Sequence, residues 1–146
     1  MNLSDLYRQV ILDHAQHPRN FGALPDGLKV ELHNPTCGDE ITLFLTLKDG
    51  VVEKVSFQGS GCSISMSSAS MLTDAIQGRP VEEVLHLNRE FRKLLQGQEA
   101  EGELLGDLEA LSGVTAFPAR IKCAVLAWNA LEQGVRSQKG EGDADE

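Results

Sequence analysis

Leu3, Leu6, Tyr7, Val10 and Ile11 recur at helical spacing behind a candidate cap at Ser4, and Pro18 bars continuation, so the pattern predicts an amphipathic helix over 4–15. Beyond a loop through Asn20-Phe21-Gly22 the period changes to two. Leu28, Val30 and Leu32 alternate with polar neighbours, Ile41, Leu43, Leu45 and Leu47 do so again, and Val51 to Phe57 form a third extended run. Asp49-Gly50 predicts a type I′ hairpin turn between the last two, because Gly and Asp tolerate the positive φ it needs. The three runs should form an antiparallel meander.

From Ser63 the pattern turns helical, with Ile64, Met71, Leu72, Ala75 and Ile76 apolar and Gly78 placed to end the helix. Pro80 suits the first turn of the next one, which carries Val81, Val84, Leu85, Phe91, Leu94 and Leu95. Gln96 to Gly102 is polar and breaks the pattern, and Leu104, Leu105, Leu108 and Leu111 predict another short helix. Pro118 opens the last helix, where Ile121, Ala124, Val125, Trp128 and Leu131 mark a stripe that must face the core. Strands first and helices later point to an α+β fold, a three-stranded antiparallel sheet with helices packed on one face. With no repeat and no linker, residues 1–136 are expected to form a single domain, and 137–146 an acidic flexible tail.

Composition narrows the function. A chain of 146 residues can bury roughly two-thirds of the surface it exposes when unfolded, so it needs no staples to fold. Its net charge of −9 opposes the phosphate neutralisation that drives nucleic-acid binding, and nucleic acid is not an expected partner. Residues 137–146 carry −3 of that charge, leaving −6 on the body. The apolar runs fall far short of the roughly 20 residues that span a bilayer, so no membrane association is expected. An odd cysteine count, wide cysteine spacing and no hydrophobic leader after Met1 argue for a reducing, cytoplasmic setting.

The candidate chemistry lies in the three cysteines. Cys37 sits in Pro35-Thr36-Cys37-Gly38-Asp39, Cys62 in Gly59-Ser60-Gly61-Cys62-Ser63, and Cys123 in Arg120-Ile121-Lys122-Cys123-Ala124, spaced 25 and 61 residues apart. Only a folded domain could bring them together. With Asp39 they would offer three sulfurs and one carboxylate, a four-ligand set for a metal or a labile cluster. Gly38 would let its strand-to-strand loop aim Cys37 and Asp39 at one point. Cys62, following Gly61, should lie near the positive end of a helix, and Cys123 in the first turn of another, with Arg120 and Lys122 adding positive charge. A lone cysteine is by default a small buried hydrophobe. Three of them at element edges, all beside Gly, Asp or Lys, favour chemistry.

Other signals are weaker. Gly59-Ser60-Gly61 resembles the start of a dinucleotide fingerprint, but Ile64 stands at the third glycine position and the strands do not look parallel. His14, His17, His33 and His86 are candidate ligands or bases; His33 is closest in sequence to Cys37, and strand alternation and surface placement explain it adequately. Met66 and Met71 read as core filling, and Arg89, Arg92 and Lys93 as a solvated basic face.

Leu6-Tyr7-Arg8-Gln9-Val10-Ile11-Leu12-Asp13-His14, His17-Pro18-Arg19-Asn20-Phe21-Gly22, Asn34-Pro35-Thr36-Cys37-Gly38-Asp39, Gly59-Ser60-Gly61-Cys62 and Phe117-Pro118-Ala119-Arg120-Ile121-Lys122-Cys123 together resemble the iron–sulfur cluster assembly proteins of the NifU N-terminal/IscU type. The resemblance is to the SufU branch. Scaffold members carry histidine before the third cysteine, where this chain has Lys122, and a Leu-Pro-Pro-Val-Lys motif that docks an Hsp70-type chaperone, where it has Phe117-Pro118-Ala119-Arg120-Ile121. The segment between the second and third cysteines is also longer, as in SufU. The resemblance implies Zn2+ on Cys37, Asp39, Cys62 and Cys123, and sulfur transfer from a cysteine desulfurase to Cys37. It also implies delivery to downstream cluster-assembly or apo iron–sulfur proteins, and no Hsp70-type partner. The alternative it leaves open is a scaffold that assembles a transient [2Fe–2S] cluster on the same residues. With the SufU-type ligand set, Lys122 would offset negative charge at the site rather than ligate, since an ammonium must first lose a proton.

Overall fold

A computed structural model describes residues 3–34 and 38–139. Helix α1 (Leu3–Gln16) precedes strands β1 (Leu28–Asn34), β2 (Asp39–Lys48) and β3 (Val51–Ser60). Helices α2 (Ser63–Ile76) and α3 (Val81–Leu95) follow, then the single turn α4 (Gly102–Leu105), a 3-10 segment (Gly106–Ala116) and the long helix α5 (Pro118–Lys139). The strands form one antiparallel sheet in the order β1-β2-β3, as the alternation predicts. Asp49 and Gly50 turn the β2–β3 hairpin at φ of 54° and 77°, the two positive values that a type I′ turn requires.

Register explains which face is covered. Val30 pairs with Leu43 and Leu43 with Phe57, while Leu45 pairs with Val55, so these side chains share one face and all are buried. Helix α5 packs across β1 and β2, and α2 packs against β3. Behind the sheet, Trp128 of α5 stacks on Phe91 of α3 with ring centroids 4.7 Å apart, and both are fully buried. Trp128 Nε1–H donates to Ser68 Oγ at 3.1 Å, and that hydroxyl donates to the Ala124 carbonyl at 2.6 Å. These bonds set α2 and α5 at a fixed spacing.

The structure departs from the sequence pattern in three places. Strand β2 begins at Asp39, two residues before the first apolar alternation, because Asn34 and Asp39 still pair across the ladder. The expected helix over Leu104–Leu111 is one α turn followed by a 3-10 segment, since Gly106 takes a φ of 54° and breaks the α-helical run. Helix α5 continues to Lys139. Separately, His14, one of the candidate ligands or bases, is buried: its ring nitrogens lie 2.7 Å from Ser70 Oγ and 3.1 Å from Asp107 Oδ2, tying α1 to α2 and to the 3-10 segment.

The polar stretch after α3 is pinned at its far end. Glu101 N–H donates to Glu90 Oε1 at 3.1 Å, and Lys93 Nζ lies 2.9 Å from Glu90 Oε2. The hydrogen bond from Lys93 holds the Glu90 carboxyl below the usual carboxylate range. The basic face is tied down too, with Arg92 reaching Asn129 and Glu132 of α5. Met71 is in the core and Met66 packs against it, as expected. Among the described residues, no helix is long and apolar enough to cross a membrane.

Candidate metal centre

Asp39 opens β2 on the same face as Ile41 and Leu43, with its side chain fully buried. Its Oδ1 accepts the Cys62 N–H at 3.0 Å, and its Oδ2 lies 4.0 Å from Cys62 Sγ. Cys62 is the N-cap of α2, extended in backbone, with its sulfur accepting the Ser65 N–H at 3.5 Å. The sulfur therefore does the work an N-cap oxygen usually does, and it sits at the positive end of the helix as the sequence suggests. Gly61 is required by close approach: a Cβ there would strike the Asp39 carboxylate and fall 2.6 Å from Ser65 Oγ.

Cys123 reaches the same point from α5. Counted from Pro118 it lies in the second turn, not the first, and it is fully buried, so the helix-end field acts on it less than expected. Helix α5 packs against α2 and the sheet, a tertiary arrangement that local spacing does not reveal. Arg120, one turn earlier and exposed, places a guanidinium nitrogen 3.9 Å from Cys123 Sγ. Lys122 is exposed on the same turn.

Among the described residues, the ligand atoms of Asp39, Cys62 and Cys123 all lie within 4.8 Å of one another. Donors held about 2.0–2.3 Å from one zinc ion lie within roughly 4.6 Å of each other, so a small side-chain rotation suffices to bind. Two sulfurs and a carboxylate oxygen are a donor set that zinc and iron both accept. Cys37, with Pro35 and Thr36, lies outside the described residues. Gly38 leads into β2 at a φ of 75°, its N–H donated to the Asn34 carbonyl at 2.8 Å.

None of the four histidines joins this cluster. His17 and His33 are exposed. His86, Glu90 and Glu101 bring ligand atoms within 4.8 Å of one another on α3 and the following loop. There the Lys93 ammonium already occupies the cation position beside Glu90. The sequence does not single out Ser65, which stands three residues after Cys62 and lays its N–H against the Cys62 sulfur.

A profile described as the NifU-like N terminal domain matches residues 6–143. The chain belongs to this family. A Bacillus subtilis (strain 168) member named zinc-dependent sulfurtransferase SufU is 53% identical over 140 residues, covering 95% of each chain. A Streptococcus pyogenes serotype M1 member named iron-sulfur cluster assembly scaffold protein IscU is 44% identical over 135 residues, covering 92% of this chain and 85% of its own. Among solved structures of NifU-like proteins, the putative SUF-system scaffold of Fervidobacterium islandicum AW-1 superposes with a TM-score of 0.83 at 29% identity, covering 91% of this chain and 98% of its own.

Proposed function

We propose that this protein accepts persulfide sulfur from a cysteine desulfurase on Cys37 and passes it into iron–sulfur cluster assembly, with Zn2+ as the resident metal on Cys37, Asp39, Cys62 and Cys123. The observation that carries the reading is the convergence of Asp39, Cys62 and Cys123 from a strand, a helix cap and a second helix onto one point. The 53% identity to a relative named zinc-dependent sulfurtransferase supports it. Lys122, standing where scaffold members have histidine, supports it as well.

Zinc, when bound, keeps its sulfur ligands as thiolates. The chain supplies the rest. Asp39 fixes the Cys62 backbone through its N–H bond, and Arg120 sets positive charge beside Cys123. Cys62 caps α2 and Cys123 is sealed in the core, so Cys37 is the sulfur left for exchange with a partner. In the transfer step the Cys37 thiolate attacks the outer sulfur of the donor persulfide. The donor S–S bond breaks, the donor cysteine leaves as thiolate, and Cys37 carries the new persulfide.

The test is mass spectrometry of the chain after incubation with a cysteine desulfurase and cysteine. We expect one added sulfur on Cys37, absent from Cys37→Ala; sulfur loading that survives the substitution would reject the assignment. A second reading rests on the 44% identity to a relative named as an IscU scaffold. It treats a [2Fe–2S] cluster as cargo built on the same ligands. Anaerobic reconstitution separates the two: a stable chromophore that moves to an apo-ferredoxin favours the scaffold.

A further inference from the structure

Ser65 is fully buried on the first turn of α2, and its hydroxyl has two acceptors within reach. It donates to the Cys62 carbonyl at 3.0 Å, and its oxygen lies 3.8 Å from Cys62 Sγ. The carbonyl does not depend on that hydroxyl, because it also accepts the Met66 N–H at 3.0 Å. Rotation about the Ser65 Cβ–Oγ bond can therefore send the hydroxyl hydrogen to the sulfur, with no heavy atom moving and no buried acceptor left bare.

A sulfur that ligates a metal carries no proton, so its contact with Ser65 Oγ needs a donor from the other side. We infer that Ser65 is a positioning residue for the metal centre, its rotatable hydroxyl joining its own N–H as a pair of donors to the Cys62 sulfur when that sulfur serves as a ligand. This rests on the metal-centre reading above and deepens it. Gly61 makes room for the arrangement, since any Cβ there would enter the space that Ser65 Oγ and the Asp39 carboxylate share. Hydrogen bonds of this kind tune how firmly a ligand is held.

Ser67 provides a matched control. It is equally buried on α2, and its hydroxyl bonds back to the Ile64 carbonyl at 3.2 Å. The experiment titrates the full chain with Co2+, following the sulfur-to-cobalt charge-transfer band, and measures zinc affinity by chelator competition. Ser65→Ala should lower zinc affinity by roughly 10-fold and move the band to longer wavelength, because a thiolate relieved of a hydrogen bond gives up charge more easily. Ser67→Ala should do neither, and Ser65→Thr, which keeps the hydroxyl, should match the unaltered chain. Unaltered values for Ser65→Ala, equal losses in Ser67→Ala, or a threonine variant that behaves like alanine would each overturn the inference. An unaltered chain that binds no cobalt contradicts the metal-centre reading itself, not the part given to Ser65.

Discussion

Asp39→Ala should release zinc and soften the fold, and Asp39→Asn should separate those two effects. In the proposed centre the carboxylate has two tasks: it would offer an oxygen to the metal, and it accepts the Cys62 N–H at 3.0 Å. Alanine removes both and leaves a helix-capping N–H without its acceptor, at a cost of about 1–3 kcal/mol. Losing a direct ligand should weaken zinc binding by more than the roughly 10–100-fold typical of the partners that merely orient ligands. Asparagine keeps a carbonyl oxygen for the Cys62 N–H while giving up the charge. Its thermal midpoint without metal should stay near that of the unaltered chain, with zinc affinity falling almost as far as in alanine. Chelator competition and thermal unfolding of the metal-free chains check both. A metal affinity unchanged in either variant would remove Asp39 from the ligand set.

Trp128→Ala should cost about 3–5 kcal/mol, the range for deleting a fully buried large aromatic side chain. Native domains are stable by about 5–15 kcal/mol, so this single change consumes roughly a fifth or more of the margin. For a domain of this size the thermal midpoint should fall by about 6–20 °C. The effect should reach the metal centre. Trp128 bonds Ser68 on α2, and Ser68 bonds Ala124, which adjoins Cys123 on α5. The two helices that present Cys62 and Cys123 are spaced by that chain of contacts. Zinc affinity should therefore drop along with stability, whereas Trp128→Phe, which retains most of the packing against Phe91, should lose less of each. Retained zinc affinity in a destabilised Trp128→Ala chain would show that the spacing is set elsewhere.

These two residues also mark where sequence reading succeeds and where it stops. Trp128 was legible because the stripe on α5 has a helical period, and the inner face of the sheet was legible because Leu43 and Leu45 alternate with polar residues. Such periodicity reports one buried face per element. It does not report what meets across elements. The burial of Cys123, the capture of His14 between Ser70 and Asp107, and the extension of β2 back to Asp39 all arise from tertiary pairing. The meeting of Asp39, Cys62 and Cys123 was legible from residue types and the family resemblance. Ser65 was not, because a serine in a helix start reads as an ordinary polar residue until a sulfur lies against it.

X-ray absorption at the zinc edge, on the freshly purified full chain, tests the central claim most directly. Three sulfurs near about 2.3 Å and one oxygen near about 2.0 Å, in a stoichiometry of one zinc per chain, are the expected shell for Cys37, Cys62, Cys123 and Asp39. A shell of nitrogen and oxygen alone, or one with fewer than three sulfurs, would contradict it.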